Sequence, residues 1–193
     1  MKTGTAAARR LTKRTSCLTR KPQIHSSKAD APKPTPSAAV LTVSDSCARG
    51  DRDDASGAAV AELLTQHNFS VVATEIVPDE LLSIQKALAL LAEEAPLVVT
   101  TGGTGITTRD VTPEATRAVC ERLVEGIPER MRSEGAKKTP LAALSRGLCG
   151  IRGKSLILNL PGSPKGAIES LEAVIGLLPH MLQLLAGNTA HGG

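Results

Sequence analysis

Apolar and polar positions follow two rhythms after residue 36. Ala38 to Val43 is a short apolar run, of the length of a strand buried on both faces, and it leads into Ser44-Asp45-Ser46. Gly50 to Gly57 is rich in turn residues, after which Val60, Leu63, Leu64 and His67 recur at helical spacing. Val71 to Val77 predicts a second strand, ended by Pro78. Asp79-Glu80 then opens a helix, because acids suit a helix N-terminus, and Leu81, Ile84, Leu88 and Leu91 form its apolar stripe. Leu97 to Thr101 is the third strand. Thr112, Pro113 and Glu114 start another helix, and a broken helical region spans 126–145. Ser155 to Leu160 predicts a further strand. Ile168, Leu171, Ile175, Leu178 and Leu182 predict one final helix. Strands alternating with helices imply crossover units and a mostly parallel sheet.

Composition narrows this picture. The 193 residues suit one domain plus a tail, and the 41% apolar share is enough for a core. Phe69 is the only aromatic residue, so Leu, Val, Ile and Ala must fill the interior, and base-stacking platforms are disfavoured. Charge is unevenly spread. Residues 1–36 carry nine Lys or Arg against one acid, Asp30, while residues 37–193 carry 14 against 18. The net charge of +4 therefore reports the tail, and nucleic acid is not an expected partner of the acidic remainder. The expected organisation is a disordered, basic, Pro-rich tail over 1–36 and one folded domain over 37–193. The tail has the acid-poor composition of a transit peptide but no apolar face at helical spacing. No apolar run is long enough to span a membrane, so no membrane partner is expected. Cys17, Cys47, Cys120 and Cys149 are scattered, without zinc-ligand spacing, which suggests a reducing, cytoplasmic setting, and the three in the folded part read as buried thiols.

The chemistry gathers where strands end. Polar loops follow three predicted strands, at Ser44-Asp45, at Thr101 to Asp110 and at Asn159 to Gly166. In an open parallel sheet these ends share one edge, where ligands bind. Thr101-Gly102-Gly103-Thr104-Gly105 lets backbone N–H groups approach an anion closely, and Thr104, Thr107 and Thr108 add hydroxyls. The turn matches neither a Walker A loop nor Gly-x-Gly-x-x-Gly, which disfavours a dinucleotide enzyme. Gly153-Lys154-Ser155 lacks the first glycine of a Walker A loop, with Leu148 in its place. Asp45, Asp54, Asp79 and Asp110 lie near strand ends or helix starts. Each alone reads most simply as a helix cap, but Asp79 and Asp110 together suggest magnesium beside a phosphate. Arg109, Arg146 and Lys165 are candidate anion partners.

These motifs appear in order: Val43-Ser44-Asp45, Asp54-Ala55-Ser56-Gly57, Pro78-Asp79-Glu80, the glycine turn, Arg109-Asp110-Val111-Thr112-Pro113-Glu114, Leu144-Ser145-Arg146, and Asn159-Leu160-Pro161-Gly162-Ser163-Pro164-Lys165-Gly166. The set resembles the molybdopterin adenylyltransferase family, of the MogA/MoaB type, over about residues 37–190. The resemblance implies a three-layer α/β/α fold, a homo-oligomer (trimer or hexamer), and the transfer of AMP from ATP to molybdopterin with magnesium and release of pyrophosphate. It implies other cofactor-biosynthesis proteins as partners. It places Asp79 and Asp110 as catalytic, metal-holding carboxylates. Ser44, Asp45, Thr101, Gly102, Gly103, Thr104, Gly105, Ser145, Arg146, Pro161, Gly162 and Lys165 are placed around nucleotide and pterin. Ser46 stands where many relatives carry Arg, leaving Arg49 as the candidate substitute. The competing reading is a molybdopterin carrier or scaffold without adenylyl transfer, which retention of both Asp79 and Asp110 disfavours.

Overall fold

The computed structural model describes Met1 and residues 35–187. Residues 2–34 of the expected tail lie outside the described residues. The described stretch from 35 onward falls in one compact unit.

The chain forms β1 (Ser37–Val43), α1 (Asp45–Ala48), α2 (Ala55–Gln66), β2 (Ser70–Val77), α3 (Leu81–Glu94), β3 (Leu97–Thr101), α4 (Thr112–Val119) and β4 (Arg122–Leu123). It continues with α5 (Gly126–Ala136), a 3₁₀ turn (Pro140–Leu144), β5 (Cys149–Arg152), β6 (Ser155–Leu160), α6 (Pro164–Glu172), a second 3₁₀ turn (Ile175–Leu177) and α7 (Leu178–Leu185). The strands make one sheet in the order β2-β1-β3-β6-β5-β4. The pairs β1–β2, β1–β3 and β3–β6 are parallel, and β5 runs antiparallel to both β6 and β4.

Alternation along β1 divides the core. Ala38 and Val40 face a cluster with α2, α5, α6 and α7, while Ala39, Leu41 and Val43 face a second cluster with α3 and α4. This is the expected three-layer α/β/α arrangement. The chain passes from β1 to β2 on one side and then crosses to β3 on the other. The carboxyl ends of β1 and β3 therefore flank a topological switch point, the usual crevice for a ligand.

Four expectations need correction. The final helix is broken into α6, a 3₁₀ turn and α7. Pro179, at the start of α7, has no N–H to continue an i to i−4 ladder. His67 does not join the buried face of α2; it is the exposed C-cap, and Phe69 fills the core instead. Leu81 is exposed at the start of α3, whose buried stripe is Ile84, Ala87, Leu88 and Leu91. Asn159 is buried inside β6, not in the loop after it. Its amide donates to the hydroxyls of Thr100 (3.1 Å) and Thr116 (2.9 Å) and its oxygen accepts from the Leu148 N–H (3.1 Å).

Candidate functional site

The four parallel strands deliver their carboxyl ends to one edge. There β1 gives Ser44-Asp45, β2 gives Pro78-Asp79, β3 gives the glycine turn and β6 gives Pro161-Gly162.

Asp45 and Asp79 clasp each other. The Asp45 N–H donates to Asp79 Oδ2 at 2.9 Å, and the Asp79 N–H donates to Asp45 Oδ1 at 3.0 Å. Arg109 closes over the pair through Asp45 Oδ2. The Arg109 hydrogen bond and the Asp79 N–H hold the Asp45 carboxyl below its usual range. Asp79 is pushed the other way. Burial raises it, the charges of Asp45 and Asp110 add to the rise, and the Asp45 N–H and Arg109 only partly oppose them. Ser44 caps α1, accepting from the Cys47 N–H at 3.3 Å. Arg49, the candidate substitute for the arginine absent at Ser46, pairs with Asp51 at 2.9 Å on the surface. Asp54 caps α2 through the Gly57 N–H (2.8 Å) and also accepts from the Thr42 hydroxyl (2.6 Å), so it is a structural residue.

The glycine turn lies across this clasp. Gly102 has φ +100° and Gly103 φ +61°, which L side chains rarely adopt. A Cβ at Gly102 would collide with the Val43 carbonyl, and one at Gly103 would collide with the Thr112 hydroxyl and lie 3.3 Å from Asp79 Oδ1. The turn is anchored below by the Thr101 hydroxyl, which donates to Pro161 O at 2.8 Å, and by the Thr112 hydroxyl, which donates to Gly102 O at 3.0 Å. At its far end Asp110 Oδ2 accepts from the Thr107 N–H at 2.8 Å and from the Thr107 hydroxyl. Burial pushes the Asp110 carboxyl up, but the Thr107 hydroxyl, the N–H groups of Thr107 and Gly105, and Arg146 outweigh it and leave it below the usual range.

Beyond the turn a cavity of about 510 Å³ opens. Gly103 to Gly105 and Asp110 line one side, Pro161 to Ser163 another, and α5 with the 139–145 strap completes it. Leu141 and Leu144 give the strap an apolar wall while remaining largely solvent-exposed.

The predicted site residues thus divide. Gly103, Thr104, Gly105, Asp110, Ser145, Pro161 and Gly162 line the cavity, whereas Ser44, Asp45, Asp79, Thr101 and Gly102 build the adjoining clasp and the base of the turn. Arg146 lies behind the turn. Its N–H donates to Thr104 O at 2.9 Å, its guanidinium donates to Gly105 O at 2.6 Å and to Asp110 O, and it pairs with Glu114. Lys165 is exposed in the first turn of α6, outside the cavity lining. Arg132, Thr139 and Leu141 line the cavity without having been singled out from sequence. They sit on α5 and its strap, where no compact motif marks them.

Asp79 and Asp110 flank the turn with one oxygen each held by an N–H donor, which orients the carboxylates from outside. Among the described residues no three His, Cys, Asp or Glu side chains gather as a metal cage. Two oriented carboxylates, whose charges act on each other, fit a magnesium ion that takes its other ligands from phosphate and water. Burial pushes Cys120 up to about 11 and Cys149 up to about 12.

Known proteins share this sequence and fold. The sequence profile of the family described as "Probable molybdopterin binding domain" matches residues 39–180. The molybdopterin adenylyltransferase of Helicobacter pylori is 46% identical over 153 residues, covering 77% of this chain and 87% of that protein. That of Escherichia coli is 38% identical over 164 residues, covering 77% and 84%. The crystal structure of the molybdopterin biosynthesis enzyme MoaB from Thermus thermophilus has a TM-score of 0.75 and 54% identity, covering 79% of this chain and 97% of that one.

Proposed function

The chain belongs to the molybdopterin-binding domain family, and on that footing we propose that it transfers AMP from ATP to the terminal phosphate of molybdopterin, giving adenylyl-molybdopterin and pyrophosphate. The observation that carries the reading is the pair Asp79 and Asp110, set on either flank of the glycine turn beside a cavity of ligand size.

An oxygen of the acceptor phosphate attacks the α-phosphorus of ATP, the bond to the bridging oxygen breaks, and pyrophosphate leaves. Such a transfer asks the protein mainly for positioning and charge neutralisation. Gly102 and Gly103 keep the turn bare, and while the Gly102 N–H is bonded to Leu160 O, the N–H groups of Gly103 and Thr104 are the ones left to meet phosphate oxygens as charge develops. Asp79 and Asp110 are the residues that would hold magnesium, which when bound neutralises phosphate charge. Arg109 fixes Asp45, and Asp45 fixes Asp79, so the carboxylate is oriented before any ligand arrives.

Self-assembly into a trimer or hexamer is part of the reading. The exposed apolar side chains Val72 and Ile76 on edge strand β2, and Leu81 and Leu82 on α3, support it, and sedimentation would measure it. Among the described residues no single helix is long and apolar enough to cross a membrane.

The functional test is pyrophosphate release in the presence of ATP, magnesium and molybdopterin. Release must require molybdopterin and must collapse in Asp79→Asn and Asp110→Asn. Wild-type rates in both variants would contradict the assignment.

A further inference from the structure

The cavity holds one cation that none of the motifs includes. Arg132, on α5, is the only Lys or Arg in the cavity lining among the described residues. The cations suggested by sequence are committed elsewhere. Arg109 is paired with Asp45, Arg146 is taken up by Glu114 and by carbonyls of the turn, and Lys165 stands outside. The cavity acid Glu169 already has a partner, Lys138, at 3.2 Å.

Arg132 is weakly engaged by the protein. Its Nη1 reaches Ser145 O at 3.5 Å and Gly147 O at 3.4 Å, the outer limit of a hydrogen bond. A guanidinium offers five N–H donors in a fork that fits phosphate in bidentate fashion. These two carbonyls also locate it. They flank Arg146, whose N–H is bonded to Thr104 O of the glycine turn at 2.9 Å. Arg132 is therefore tied to the segment packed on the Thr104–Gly105 part of the turn. Close packing holds α5 against the strap, since a Cβ at Gly135 would lie 2.8 Å from the Ala142 Cβ.

We propose that Arg132 binds the terminal phosphate of the acceptor molybdopterin from the α5 wall of the cavity, an assignment that rests on the proposed function of the site. Two polyanions must meet at the turn. The N–H groups of Gly103 and Thr104 serve the triphosphate, and Arg132 is the cation in the cavity lining left to draw the acceptor phosphate in.

The test is direct titration of the full chain with molybdopterin, with its dephosphorylated form, and separately with ATP and magnesium. Arg132→Gln weakens molybdopterin binding by about tenfold or more, the range for a charged hydrogen bond. Its affinity for ATP stays within about twofold of wild type, and it binds the dephosphorylated pterin as wild type does. Unchanged molybdopterin affinity overturns the proposal, as does a loss that persists with the dephosphorylated pterin or falls on ATP instead. If Arg132→Gln fails to fold, Arg132→Lys carries the test. It keeps the charge without the fork, so it must bind molybdopterin more weakly than wild type and the dephosphorylated form equally. Equal binding of both overturns the proposal. A wild-type chain that binds no molybdopterin at all would instead overturn the function, and this assignment with it.

Discussion

The two halves of the carboxyl edge are built differently. The clasp and turn, formed by Asp45, Asp79, Arg109, the glycines and Arg146, form a dense net of hydrogen bonds, many at 2.5–3.1 Å. The cavity half, formed by α5, the strap and the start of α6, offers an apolar wall and a single loosely held guanidinium. The difference separates two jobs. A preorganised net supplies fixed dipoles and carboxylates where charge develops, at no reorganisation cost during reaction. A looser wall recognises the second ligand, and its polar group keeps donors for that ligand.

Substitutions should therefore damage the two halves in different ways. The largest effect belongs to the turn. Gly102→Ala combines a strained φ with a collision against the Val43 carbonyl and should cost about 3 kcal/mol or more, read as a shift in the urea midpoint. A wild-type midpoint would show that the turn is not as rigid as described. Next, Asp110→Asn and Asp79→Asn should lower turnover by about 100-fold or more while leaving the fold intact by circular dichroism. Arg146→Ala should come third. It strips the turn of its rear support and leaves carbonyls of Gly105 and Asp110 without a donor, a loss of about 1–3 kcal/mol with a parallel fall in turnover. Leu141→Ala, in the cavity half, should do the opposite. Stability should move by less than about 0.5 kcal/mol because the side chain is exposed, while KM for molybdopterin rises and KM for ATP does not. If Leu141→Ala instead unfolded the protein, the contrast between the halves would fail.

A pH dependence tests the core beneath both halves. Cys120 and Cys149 have thiols raised to about 11 and about 12, whereas unfolded thiols ionise near ~8.5. The folded state thus holds their protons more tightly. This contribution is complete below pH ~8.5 and is lost as pH rises from there toward about 11 for Cys120 and about 12 for Cys149. Urea midpoints from pH 8 to 10.5 should fall, and Cys149→Ala should flatten part of the slope.

The same contrast explains what could be read from sequence. The parallel half announces itself. Apolar runs such as Leu97 to Thr101 are buried on both faces, and each ends in a compact polar motif because the chemistry sits at strand ends. The clasp was legible as residues but not as a clasp, since Asp45 and Asp79 come together only through the parallel pairing of β1 with β2. The antiparallel half was hidden. β5 is four residues long and includes Gly150, and β4 is two residues long, too short for periodicity. Arg132 sits on a helix of weak pattern and draws its meaning from the strap folded beside it. Arg146 shows the converse: a motif residue whose side chain braces the turn from behind and does not line the cavity.

The central claim is that these two halves join ATP to molybdopterin. It is tested most directly by incubating the chain with ATP, magnesium and molybdopterin and weighing the pterin product. The account predicts molybdopterin carrying one added AMP, with one pyrophosphate released per product and none formed by Asp110→Asn. Molybdopterin that binds but leaves unmodified while ATP persists would contradict it and make the chain a carrier.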